Sequence, residues 1–327
     1  MINANDENNE YPAPLSHGKL PRQFDIDVTE DVPENLRTFS NQPSLQPLQH
    51  STIDRTELQD VSINPIAPYH PLWLKGVGKP KRVSQFGKPK QKLWHRGSEL
   101  EPCFIWYPND RKTYHDTNYP WGCVCKIINS SGGYGSGVIV GPRHVLTASH
   151  VIDWDVNSVS VEVHRSGSFF SAITAGIHAR YITKITNDPG YSDVDEDYAV
   201  IITADRIGDR FGYLGVLTYD SKWDNEPHWR SIGYADDLGN RWFPIYQRDK
   251  SLDEDEVDYG SGRAMTTSAD LFKGQSGSPM FGFWDTGPYV VAVVSAFGSI
   301  FLSGDENWCS GGSALTQLVN NARSLFP

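Results

Sequence analysis

From Cys103 onward the chain breaks into short β-branched or aromatic runs, CVCKII, GVIVG, HVLTA, SVSVEVH, YAVII and PYVVAVVSAF, bounded by Gly, Pro, Asn and Asp clusters such as NSSGGYGSG and DPG. Side chains alternate across a strand, and runs this short, closed by turn residues, pack as an all-β sandwich or barrel. No long amphipathic stretch interrupts them before SALTQLVNNARSLF. There Leu315, Leu318, Val319, Ala322 and Leu325 recur at helical spacing, so a C-terminal helix packed on the body is expected.

Residues 1–100 have a different texture, rich in Pro, Asn, Gln, Ser and charge without a sustained period. Eight Lys or Arg and no acid fall between Lys75 and Arg96. Such a segment does not bury enough apolar surface for its own core. It reads either as a basic tail or as a propeptide that contacts the domain at 101–327 and is cut near Arg96–Glu101. Tyr69, Trp73, Phe86 and Trp94 favour partial ordering against that domain.

The hydrophobic fraction of 38% and ten Trp supply ample core for the remainder. A net charge of -11 argues against a nucleic-acid partner, since phosphate binding needs a cationic surface. No run of about 18 apolar residues predicts a spanning helix, so no membrane partner is expected. MINANDENNE lacks the basic-then-apolar pattern of a secretory signal, so either the chain is not exported or its leader has been removed. Cys103, Cys123, Cys125 and Cys309 suffice for two disulfides. Cys123 and Cys125, two apart in an expected strand, share a face and are poorly placed to bond each other. As a CxC pair they form half of a zinc site, but no second half follows, and no metal is expected.

Three local motifs carry chemistry. GVIVGPRHVLTASHV is a strand, a Gly-Pro turn and a second strand, which place His150 at a strand end where it can reach a cleft. A lone histidine more often bonds locally, and His144 inside the hairpin is a competitor. In DVDEDYAVII, Asp197 directly abuts an apolar strand and can enter the interior there; Asp193, Asp195 and Glu196 are alternatives. In FKGQSGSPMF, Gly274 and Gly277 permit a tight bend on either side of Ser276, so the N–H groups of Gly274 and Ser276 can converge on one oxyanion. Hydroxyl, base, orienting acid and oxyanion donors are the parts that nucleophilic hydrolysis of an amide requires.

These motifs resemble those of chymotrypsin-like serine proteases. Asp197-Tyr198-Ala199-Val200 is similar to their D-[I/Y/F/W]-A-[L/V] strand, TASH to their TA(A)H, and GQSGSP to their GDSGGP. GxSGSP, DYAVI, and YPWG leading into SGVIVGPRHVLTASHVI look closer to the V8 and glutamyl endopeptidase branch and its fungal trypsin-like relatives. The resemblance covers roughly residues 103–327. It implies two antiparallel six-stranded β-barrels, with His150 and Asp197 on the first, Ser276 on the second, and the site between them. It also implies protein or peptide substrates, no cofactor and secretion, and residues 1–100, if a propeptide, would make the chain a zymogen.

The departures matter too. Val151 stands where vertebrate trypsins carry a disulfide cysteine. Gln275 stands where trypsin-type zymogens carry the Asp that pairs with the newly released N-terminus, and a neutral amide cannot form that pair. Asp270 falls at the position resembling the base of the trypsin S1 pocket, where an acid favours Arg or Lys at P1, although relatives also keep an Asp near it for structural reasons. Val294 stands where the glutamyl branch carries a histidine. Ser295 resembles the serine that supports the catalytic Asp and borders the substrate backbone. Asn129-Ser130-Ser131 fits the N-glycosylation pattern, and the acidic run Asp253–Asp258 reads as a solvated loop rather than a calcium site.

Overall fold

The computed structural model describes residues 12–15, 27–37, 49–52, 64–82, 94–95, 98–99, 105–106, 108–129, 131–152, 159–164, 177–184, 194–254, 262–299 and 305–327. The first barrel consists of β1 (Val124–Asn129), β2 (Tyr134–Gly141), β3 (His144–Thr147), β4 (Val159–Val163), β5 (Ile177–Lys184) and β6 (Ala199–Thr203). Its antiparallel ladder runs β5-β6-β3-β2-β1-β4 and closes because β4 also pairs with β5. Gln49–Thr52 adds a parallel edge to β5. Val, Ile and Leu of β2, β3 and β6 are buried even where they are consecutive, so both faces of these strands are covered. Such β-branched residues suit a pleated surface.

After a single helical turn, α1 (Ile207–Phe211), the chain enters the second sheet. It comprises β7 (Gly215–Val216), β8 (Trp229–Gly233), β9 (Ile245–Lys250), β10 (Leu252–Asp253), β11 (Gly262–Thr267), β12 (Pro279–Trp284), β13 (Gly287–Ser299) and β14 (Asp305–Gly312). Its order is β10-β11-β14-β13-β12-β8-β9, with Lys112–Thr113 on the β9 edge and β7 alongside β13. Both sheets curl into antiparallel half-barrels in the expected arrangement, and the second has more described strands than the six expected. Trp223, Trp229, Trp284, Tyr219 and Tyr289 fill the second, with ring centroids 5.5–6.2 Å apart.

The C-terminal helix, α2 (Ser313–Leu325), forms as expected and packs on β3, β5, β6, β11 and β14. It buries Ala314, Leu315, Leu318, Val319 and Ala322, whereas Leu325 in the last turn is exposed. None of the described helices is long and apolar enough to cross a membrane.

Residues 64–82 are not a loose basic tail. Ile66 and Val216 exchange both backbone hydrogen bonds, as do Tyr69 and Tyr213, and the Trp121 indole donates to Val77 O at 2.7 Å. Lys81 N donates to Asp116, and Arg82 Nε donates to the Tyr246 hydroxyl. Further upstream, Leu15 N donates to Phe283 O and the Trp284 indole to Pro12 O. A basic composition did not prevent docking, because the strap contributes backbone groups and apolar side chains while its lysines face out. Phe86 and the bonds flanking Arg96 and Glu101 lie outside the described residues, as does Cys103.

Cys123, Cys125 and Cys309 are buried free thiols, so the expected disulfides do not form among them. Cys123 ends a 3-10 turn (Trp121–Cys123) ahead of β1 rather than sitting in the strand. Burial pushes all three thiols well above their ordinary range. Asn129 is also buried and donates its amide to Val151 O, a placement that leaves no room for a glycan on that nitrogen.

Trp229→Ala removes the indole at the centre of the second aromatic cluster. It is expected to cost about 3–5 kcal/mol, measured by urea unfolding at neutral pH.

Candidate active site

His150, Asp197 and Ser295 meet at the seam between the two sheets. His150 lies in a single 3-10 turn (Ser149–Val151) that follows β3, and Asp197 lies two residues before β6. Because β3 and β6 are paired, with Thr147 opposite Ala199, the two ends are brought together. His150 Nδ1 lies 2.6 Å from Asp197 Oδ2, and the His150 backbone N–H donates to Oδ1 at 3.0 Å. Ser295 Oγ donates to Oδ2 at 2.5 Å from β13, where the register against β14 breaks between Val294 and Phe297.

Asp197 is fully buried, while the His150 side chain is 31% exposed, so the imidazole can meet a substrate and the acid cannot. Burial alone would push the Asp197 carboxyl up. The charge interaction with His150 and the hydrogen bonds from His150 and Ser295 together outweigh that and hold it below its ordinary value. Of the alternatives, Asp195 and Glu196 are buried in the preceding 3-10 turn, and Asp193 lies outside the described residues.

His144 does different work. Its Nε2 donates to Ala322 O at 3.1 Å and ties β3 to α2, and burial lowers its pKa to about 4.

Ser276 sits half-buried on the bend between β11 and β12. Gly274 has φ +92° and Gly277 φ +80°, conformations that disfavour any side chain. Space imposes the same choice at Gly277, where a Cβ would come within 2.3 Å of Thr147 Oγ1 and 2.9 Å of Ala148 N. That close approach sets the bend against the chain segment leading into His150. Ser136 on β2 fastens it further: its N–H donates to Ser276 O at 2.8 Å, and its hydroxyl donates to Gly274 O at 2.7 Å while accepting from Tyr234 N. Thr147 Oγ1 in turn donates to Ser136 O. Sequence reasoning missed Ser136, because a serine in an apolar strand carries no local signal.

Asp270 is buried on the approach to the bend, and its carboxylate is already engaged. Trp106 N donates to Oδ1 at 2.6 Å, Asp110 N donates to Oδ2 at 3.2 Å, and Lys250 Nζ lies 4.0 Å away. Desolvation raises its pKa, with Lys250 and the two N–H donors opposing. These are the contacts of an acid that anchors residues 105–110. Glu254, at the start of the acidic run, pairs with Arg263, and residues 255–258 lie outside the described residues. Among the described residues no cluster of three or more His, Cys, Asp or Glu could hold a metal.

Residues 135–292 match the family model described as trypsin-like peptidase domain. Among solved structures, a Glu endopeptidase in complex with MPD superposes with a TM-score of 0.50 at 17% identity, covering 65% of this chain and 96% of that one. No curated protein matches the sequence. The match spans just under half of the chain, and together with the paired half-barrels it makes residues 135–292 similar to a trypsin-like peptidase domain.

The buried histidines set an acid limit on stability. His144 and His164 both have pKa lowered to about 4, mainly by desolvation. The unfolded chain, with His near 6.5, therefore binds more protons between the two values. Stability is fully present above about 6.5 and is lost as pH falls through about 4. His144→Gln is expected to flatten this limb in urea unfolding measured from pH 7 to pH 4.

Proposed function

We propose that the chain is a serine endopeptidase that hydrolyses peptide bonds through Ser276, His150 and Asp197. The observation that carries the reading is the buried Asp197 carboxylate bonded to His150 Nδ1, beside a Ser276 bend packed against Thr147 and Ala148. With Nδ1–H held by Asp197, His150 presents Nε2 as the basic nitrogen. Ser276 Oγ attacks the scissile carbonyl as Nε2 takes its proton, and Asp197 stabilises the imidazolium without accepting that proton. The N–H groups of Gly274 and Ser276 receive the oxyanion. The imidazolium then protonates the leaving amine, and a water deprotonated by Nε2 hydrolyses the acyl-enzyme. The donor set is complete for this chemistry without a cofactor.

At P1, the engagement of Asp270 by Trp106 and Asp110 supports a pocket in which this acid does not select Arg or Lys. The alternative, a protease-like binding protein without turnover, has no observation in its favour, since each triad position keeps a competent residue.

The test is incubation with a mixed peptide library and mass-spectrometric mapping of the cut sites. Ser276→Ala should lower kcat by on the order of 10⁶, and Asp197→Asn by roughly 10⁴, with the fold retained. Equal cleavage by Ser276→Ala would remove the mechanism. Asp270→Asn is expected to lower thermal stability while leaving the ratio of cuts after Arg and Lys to all other cuts within about threefold. A selective collapse of the Arg and Lys cuts would restore Asp270 as the selector.

A further inference from the structure

The residue before Ser276 holds the loop that presents both oxyanion donors, and in this chain it is neutral. Gln275 is fully buried, and its Oε1 accepts two hydrogen bonds, from Phe272 N at 2.9 Å and from Arg111 Nη1 at 2.8 Å. Its Nε2 donates to Asp270 O at 3.3 Å. Arg111 is itself wholly buried and forked onto Asp237, with Nη1 to Oδ1 at 3.0 Å and Nη2 to Oδ2. Arg111 Nε and N both donate to Asn109 Oδ1. Asp237 neutralises the guanidinium, and one N–H of the same group remains directed at Gln275. An amide oxygen suits that position, because a second carboxylate would add a buried negative charge to an ion pair already balanced.

The Arg111 segment is anchored on either side. Asp270 caps Trp106 N and Asp110 N, Lys250 pairs with Asp110 at 3.0 Å, and Lys112–Thr113 pairs with β9. Asp236, next to Asp237, donates its N–H to Lys273 O, which binds the Asp237 loop to the same bend. The fork thus spans the segment before β1, the loop after β8 and the loop carrying Ser276.

We infer that Arg111, held by Asp237, is the positioning residue that sets the Gly274–Ser276 oxyanion loop through Gln275, so that the loop is formed in the uncut chain without a newly released N-terminus. The inference rests on the serine-peptidase reading. A guanidinium within the chain is present from synthesis, whereas an α-amino group exists at such a site only after cleavage. Removal of upstream residues is therefore not what assembles the oxyanion hole.

Two measurements on the full chain test it. The first is labelling with a fluorophosphonate, followed by intact-mass analysis. The expected result is Ser276 labelled in chains that still begin at Met1. Labelling confined to chains cut upstream of Asn109 overturns the inference and leaves the peptidase reading standing. Absence of labelling and of peptide cleavage in cut and uncut chains alike removes the peptidase reading and the inference with it. The second compares variants whose folding is checked by near-ultraviolet circular dichroism. Arg111→Met/Asp237→Asn removes both charges together and leaves no buried ion unpaired. Its kcat should fall roughly 100-fold with KM within about threefold, and affinity for a peptide boronic acid should fall in parallel, the pattern of lost transition-state stabilisation. Gln275→Met, which keeps both charges and removes only the amide, should show the same split. An unchanged kcat in either folded variant, or a change confined to KM, overturns the positioning role.

Discussion

The contact on which the site depends is the one Ser136 makes across the seam. A strand of the first barrel donates its backbone N–H to the carbonyl of Ser276 in the second, and the same residue's hydroxyl joins Gly274 O to Tyr234 N. Two curled sheets could slide over a purely apolar interface at little cost, since hydrophobic contact is non-directional. Directional bonds at a buried position do not allow that, because every shift leaves a polar group unpaired. The separation of Ser276 from the β3–His150 segment is thereby set by backbone geometry, and the missing Cβ at Gly277 allows the close approach.

Around that seam the interior is polar. Asp197, Asp237, Arg111, Gln275, Asp270 and Ser295 are all at most 3% exposed. Each carries its partners: histidine and serine for Asp197, a forked guanidinium for Asp237, two peptide N–H groups for Asp270. A buried charge without such partners would be neutralised or would unfold the region. The network trades apolar burial for orientation, and hydrolysis through an oriented imidazole and aligned N–H donors benefits from that exchange. Apolar side chains adjoin it on each side: Ala148, Val151 and Tyr198 belong to the core of the first barrel, and Phe272 clusters with Ala235 and Leu238 next to Asp237 and Gln275.

Five of the six strands of the first barrel were legible because they carry aliphatic runs, as in GVIVG, HVLTA and YAVII, whereas β5, IHARYITK, was not. Several strands of the second were not. WRSIG, IYQRDK, GRAMTT and DENWCSGG carry charged or small residues, and cross-strand pairing overrides their weak intrinsic preference. For the strap at 64–82, the aromatic residues pointed to ordering against the domain, and Tyr69 and Trp73 do dock there. Its lysines gave the texture of a tail, yet the ladder bonds of Ile66 and Tyr69 involve backbone groups that composition does not report. The cysteines misled in the opposite direction: their number allowed bridges, while the fold buries three of them as separate thiols.

What the chain's own order of residues determined is local. GQSGSP bends only because glycines flank Ser276, Asp197 enters the interior because YAVII follows it, and His150 lies at a strand end because of the hairpin before it. Those features depend on φ, turn chemistry and hydrophobic pattern, which neighbours in sequence decide. Only the tertiary structure decided that Ser295 supports Asp197, that Ser136 clasps the Ser276 bend, that Asp270 spends its oxygens on residues 105–110, and that Arg111 meets Asp237 and Gln275. These partners are separated by 98 to 164 positions along the chain. A charged residue reads as solvated until folding supplies the opposite charge that makes its burial tolerable.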